Sequence, residues 1–102
     1  MYRVYECDLN KKAEITKILE AEPYAEDSFA RNGYKIKDGS VLEEDKTKMY
    51  IYMSASEEFI KNADHKLHEL AKPPKHEIED RIIKKIQKEE EEAESGFGSL
   101  FG

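Results

Sequence analysis

Three histidines, one cysteine and a set of tyrosines interleaved with lysines are the side chains of this sequence whose chemistry could serve a site. His65 and His68 stand at i, i+3 with Asp64 and Glu69 beside them, and His76 follows. On a helix, two imidazoles at that spacing can reach one metal ion. At the helical period, however, His65 lies almost opposite the apolar positions Phe59, Ala63 and Leu67, and His68 is on the same outer half. A pair with no inward-facing third ligand reads as a solvated face, so no metal is expected. Cys7 sits in a strand pattern without a base nearby in sequence, which reads as a buried, inert thiol. The chain has no phosphate-cradling Gly-rich loop, nucleophile elbow or zinc-finger spacing, and nothing marks a catalytic pair among its many carboxylates. Neither an enzyme nor a bound cofactor is expected.

Recognition chemistry is better represented. Tyr50 and Tyr52 alternate within an apolar run and share one strand face, with Tyr34, Lys35, Lys37 and Lys48 within reach in a small sheet. Aromatic rings on an open sheet with a basic rim form a stacking platform for single-stranded RNA. The bland alternative is that these tyrosines pack under a helix and show only their hydroxyls.

The C-terminal residues carry the second recognition pattern. Glu89 to Glu92, Ala93, Glu94 and Ser95 form an acidic run directly before Gly96-Phe97-Gly98-Ser99-Leu100-Phe101-Gly102. Such a run buries too little apolar surface to offset chain ordering and is expected to stay solvated. Phe97, Leu100 and Phe101, at i, i+3 and i+4, are the anchors that a segment folding into a partner's groove needs. This tail resembles the C-terminus of the acidic ribosomal stalk proteins of archaea and eukaryotes. Those proteins end in an acidic, Ala-containing run, a Gly-Leu-Gly or Gly-Phe-Gly step and a Leu-Phe pair. The resemblance implies docking on a translational GTPase or the ribosome-recycling ATPase. Phe97, Leu100 and Phe101 would then fill the groove, spaced by Gly96 and Gly98 and preceded by Glu91, Glu92 and Glu94. It covers roughly the last fifteen residues; the body lacks the stalk's helical dimerisation domain and long Ala/Glu-rich hinge.

Composition sets the bounds. The chain has 102 residues, 39% of them charged, with a formal net charge of -6. That length is one small domain, of which about 85 residues precede the acidic tail, enough to fold alone. The Lys/Glu-rich balance resembles that of thermophile proteins and argues against a globally basic nucleic-acid binder. A lone cysteine excludes an internal disulfide, and no apolar run approaches membrane length, so a cytoplasmic protein is expected.

The elements that must position these groups emerge from periodicity. Tyr2 to Leu9 reads as a first strand, followed by a helix to about Ala21 that Asp8 or Asn10 caps and Pro23 ends. Asn32-Gly33 and Asp38-Gly39 read as hairpin turns around Tyr34 to Lys37, with a second arm over Ser40 to Glu43. Met49 to Ser54 is the clearest strand. Ser54 and Glu57 suggest a capping box for a helix to about Ala71, and after Pro73-Pro74 comes a helix with an Ile78, Ile82, Ile83, Ile86 stripe. That stripe stops at Ile86, so the helix is expected to project as a solvated rod or fray; Ile78, Ile82 and Ile86 could alternatively pair with a second copy. The expected architecture is α+β, in the order β-α-β-β-(β)-α-α: a small antiparallel or mixed sheet covered by helices on one face, ferredoxin-like or related. Residues 1-86 form the domain and 87-102 a flexible acidic tail. The functional expectation is a non-enzymatic, translation-associated adaptor. Alternatives are an RNA-binding or ribosome-surface protein and a self-associating module.

Overall fold

The computed structural model describes residues 1–26 and 28–101, with side chains described through residue 92. Strand β1 (Tyr2–Asp8) leads through a 3-10 turn (Leu9–Lys11) into helix α1 (Lys12–Glu20), followed by α2 (Phe29–Asn32), β2 (Lys35–Asp38), β3 (Lys48–Ser54), α3 (Glu57–Leu67), β4 (Ala71–Lys72) and α4 (His76–Phe101). The four strands form one sheet in the order β2-β3-β1-β4, antiparallel throughout. Up to β4 this is the β-α-β-β-α-β ferredoxin-like arrangement. The expected α+β class holds. The central pair, β1 and β3, is in register from Tyr2 opposite Ser54 to Asp8 opposite Lys48.

Alternation along the central strands sends side chains into two cores. Tyr5 and Cys7 of β1 and Met49, Ile51 and Met53 of β3 face α1, α2 and α3, where they meet Ile15, Leu19, Phe29, Phe59, Ile60 and Leu67. Val4, Tyr50 and Tyr52 point the other way. There they are covered by Ile82 and Ile86 of α4 and by Leu42 from the β2–β3 connection. The sheet therefore carries helix on both faces, not one.

Local chemistry explains where the elements differ from expectation. Ser28 caps a single helical turn by accepting a hydrogen bond from the Arg31 N–H (3.2 Å), and Gly33 closes it at φ 86°. Asn32-Gly33 is thus a helix end, not a hairpin turn, because Gly tolerates the left-handed backbone that a C-terminal cap requires. Asp38-Gly39 opens a long turn instead of a tight hairpin, and Ser40 to Glu43 forms no strand arm. At Gly39 the chain passes so close to Asp45 that a Cβ would lie 1.8 Å from its carbonyl oxygen. Ser56, not Ser54, caps α3, accepting from the Phe59 N–H at 3.2 Å. That helix stops at Leu67, leaving Ala71–Lys72 to pair with Glu6 and Cys7 as a short edge strand that Pro73 ends. At the start of α1 neither Asp8 nor Asn10 makes the cap: Asp8 pairs with Lys48 instead.

Full burial of Ile82 and Ile86 makes α4 part of the core, each residue contributing about 1.5–3 kcal/mol by removal from water. Ile82→Ala should lower unfolding free energy by about 2–5 kcal/mol. Urea denaturation followed by far-ultraviolet circular dichroism checks this; an unchanged midpoint would mean that α4 does not share the cooperative core.

Candidate functional site: the sheet face under helix α4

The face that the sequence offered as an RNA platform is occupied. Tyr50 and Tyr52 are 2% and 6% exposed, with α4 lying over them. The Tyr50 hydroxyl donates to Glu6 Oε2 at 3.0 Å, and burial followed by that bond raises its pKa. Tyr52 is raised chiefly by burial and then by the nearby Glu90 charge, with a Gln87 hydrogen bond acting in the opposite direction. Tyr2, at the start of β1 and outside that group, is half open and stacks on Tyr52 with ring centroids 6.1 Å apart. Tyr34 packs against the opposite core.

The lysines assigned to the rim are engaged as well. Lys35 pairs with Glu90 at 2.6 Å and Lys37 with Glu89 at 3.3 Å, both carboxylates belonging to α4, while Lys48 pairs with Asp8. A stacking platform needs ring faces and cations open to a ligand; here the rings are buried and the cations face carboxylates. The expectation of an open Tyr/Lys face is therefore corrected. So is the boundary at residues 86 and 87, because Gln87 and Glu90 are half-buried and Glu89 and Glu90 hold the sheet edge. Ile82 and Ile86, offered for self-pairing with Ile78, are instead buried within the chain, and Ile78 packs beside them.

The β2–β3 connection clasps α4 from the side. Glu44, with its side chain only 6% exposed, receives Arg81 Nε and Nη2 at 2.6 Å each, and Lys85 lies 3.8 Å from the same carboxylate. Lys85 also donates to the Leu42 carbonyl. Fork-to-fork geometry is the strong form of an Arg–carboxylate pair. The Arg81 hydrogen bonds hold the Glu44 carboxyl below its ordinary pKa, against the opposing effect of burial. Glu79 completes the attachment: its carboxylate accepts the Val4 N–H at 3.1 Å, on the stretch of β1 that the short β4 does not reach. An exposed strand edge is thereby satisfied by a side chain of α4.

On the opposite side, Tyr5 donates to Asp64 Oδ1 at 2.5 Å, and Arg3 Nη2 lies 3.7 Å from Asp64 Oδ2. Burial and then the Asp64 bond push the Tyr5 pKa upward. This polar link ties α3 to the centre of the sheet. His65 and His68 stack on each other at 6.1 Å and are exposed, and among the described residues no group of three or more His, Cys, Asp or Glu is arranged to hold a metal ion. Cys7 is 3% exposed, and burial pushes its thiol up to about 11. Beyond Glu90, Glu91 and Glu92 are exposed. Glu94, Gly96, Phe97, Gly98, Leu100 and Phe101, the remainder of the expected partner-binding set, lie outside the residues whose side chains are described. No helix among the described residues is long and apolar enough to cross a membrane.

The clasp makes stability depend on pH with a definite sign. Because Glu44 titrates lower when folded, its contribution is present above the ordinary carboxylate pKa and is lost as pH falls through the depressed value. Glu44→Gln should therefore lower the urea midpoint at neutral pH, and the gap from wild type should narrow on acidification below about pH 4. A gap that stays constant with pH would exclude the ion pair as its source. Cys7 should resist a disulfide reagent at pH 8 in the native protein and react promptly in denaturant; rapid native labelling would contradict its burial.

The sequence matches no protein-family model and no curated protein, and the coordinates match no solved structure.

Proposed function

We propose that this chain is a non-enzymatic, translation-associated adaptor of the cytoplasm. Its α+β body anchors a C-terminal segment that engages a translational GTPase or the ribosome-recycling ATPase. The observation carrying the reading is that the described sheet contacts of α4 reach to Glu90 while the helix runs on to Phe101. Residues from Ile78 to Glu90 are spent on the sheet through Ile82, Ile86, Arg81, Glu79, Glu89 and Glu90. Past that point the helix continues to Phe101, and Glu91 and Glu92 are exposed. Eleven further helical residues, at 1.5 Å each, extend about 16 Å beyond Glu90.

This geometry supports presentation of the stalk-like sequence away from the body. Carboxylates at Glu91, Glu92 and Glu94 would steer the segment to a basic groove rim, while Phe97, Leu100 and Phe101 supply most of the affinity. The burial of Tyr50 and Tyr52 and the engagement of Lys35 and Lys37 remove support from the RNA-face alternative. Burial of Cys7 likewise disfavours a thiol nucleophile.

Immobilised chain should recover a translation factor from a thermophilic archaeal extract, and deletion of residues 96–102 or the triple change Phe97→Ala/Leu100→Ala/Phe101→Ala should abolish recovery. Equal recovery by the wild type and both variants would contradict the proposal.

A further inference from the structure

Strand β2 is an edge of the sheet, paired with β3 alone. The Gly39 N–H donates to the Lys48 carbonyl at 2.9 Å, which continues the β2–β3 ladder and fixes its phase. Lys35 and Lys37 therefore turn their backbone groups to β3, and Ile36 and Asp38 turn theirs outward. Val41 and Leu42 take the outward Asp38 carbonyl. The N–H and C=O of Ile36 and the N–H of Asp38 have no hydrogen-bond partner among the described residues. Lysines commonly guard such an edge against an incoming strand. Here Lys35 and Lys37 are drawn onto Glu90 and Glu89 of α4, at 2.6 and 3.3 Å. Where β3 outruns β2, the edge opens into a hollow of about 300 Å³ lined by Gly33, Tyr34, Tyr52 and Met53 among others. A Cβ built on Gly33 would have nothing within 4 Å.

We propose that this edge takes up an extended segment of a partner protein as a fifth strand, its side chains alternating between apolar and basic. Backbone bonds to Ile36 and Asp38 hold such a strand, and the alternation sets its specificity. One face of it lies beside Ile36 and Tyr34, which are partly buried against the core, and beside the hollow. The other face lies on the side of α4, whose Glu91 and Glu92 are exposed. A second copy of β2 does not fit. Helix α4 crosses the sheet from the outer side of β1, where Glu79 meets Val4, to β2, where it is held by Lys35 and Lys37 on either side of Ile36. Antiparallel pairing of two β2 strands about Ile36 would bring both α4 helices over the same point, whereas packed helices keep their axes about 8–10 Å apart. The occupant is thus a single strand without a helix of its own on that side. The site uses none of Phe97, Leu100 and Phe101 and does not depend on the adaptor reading.

The probe is a capped hexapeptide of alternating lysine and valine, added at about 1 mM to the isotope-labelled full chain, since one short strand binds weakly. In nuclear magnetic resonance spectra the amides of Ile36 and Asp38 should shift, and their hydrogen exchange should slow several-fold. A fully N-methylated version of the peptide, which keeps the side chains but offers no donor, should leave both amides unchanged. Replacing its lysines by glutamates should weaken binding several-fold. Ile36→Pro, which removes an N–H that the sheet itself does not use, should abolish the response to the lysine–valine peptide. The inference is overturned if that peptide leaves Ile36 and Asp38 unaffected, if the N-methylated peptide acts equally, or if the glutamate peptide binds as tightly. The triple tail variant Phe97→Ala/Leu100→Ala/Phe101→Ala should respond to the peptide as wild type does while failing to recover a translation factor, so the two proposals fail separately.

Discussion

Ile82 and Ile86, seated on Val4, Tyr50 and Tyr52, are the contact on which the arrangement of this protein turns. A four-stranded sheet with helices on one side leaves an apolar second face, and two tyrosines together with a valine cannot be left in water without losing their burial energy. The isoleucines of α4 cover that face. Once the helix is seated, its polar residues fall into place along the sheet margin: Glu79 at the unpaired part of β1, Arg81 against Glu44, and Glu89 and Glu90 against the lysines of β2. Surface ion pairs of this kind contribute little individually. Here they fix the axial position of a helix that the apolar contact has already bound.

That contact also decides what the face can offer. The same tyrosines and lysines, on an uncovered sheet, would offer rings and cations to a ligand; covered, they hold α4 to the sheet. Among the residues whose side chains are described, attachment reaches to Glu90, and the helix continues to Phe101. Tyr5, Asp64 and Arg3 play the corresponding structural part on the other side, joining α3 to the central strand. Tyr5 and Tyr50, whose pKa values are raised by burial and then by a carboxylate partner, and Glu44, whose pKa is lowered by its Arg81 hydrogen bonds, are groups that hold layers together.

Much of the fold was legible in the sequence because its periodicities are strong. The alternation of Met49, Ile51 and Met53 with Tyr50 and Tyr52 assigned two faces to β3, and Phe59, Ile60, Ala63 and Leu67 lie buried along α3 as their spacing requires. Local signals mislead where two structures share one dipeptide: Asn-Gly serves a hairpin or a helix end, and Ser28 capping the Arg31 N–H was the cue that decided it. The two-residue β4 has no periodicity to read. Which side of the sheet α4 would take was not written in its stripe either, since an apolar ridge specifies that it is buried and not by what. The cue lay in the partner surface, where Tyr50, Tyr52 and Val4 share an otherwise uncovered face. Glu89 and Glu90 read as solvated because their counter-charges, Lys37 and Lys35, are distant in sequence.

The central claim is that α4 through Glu90 belongs to the folded core and the face beneath it is closed. Native-state hydrogen exchange of the full chain tests this most directly, because amides that open only on global unfolding share one protection free energy. Amides from Ile82 to Glu90 should be protected to the same extent as those of Tyr50 and Tyr52 in β3. Exchange of the α4 amides at rates near those of an unstructured chain, while β1 and β3 remain protected, would show that the helix leaves the sheet readily and would contradict the account.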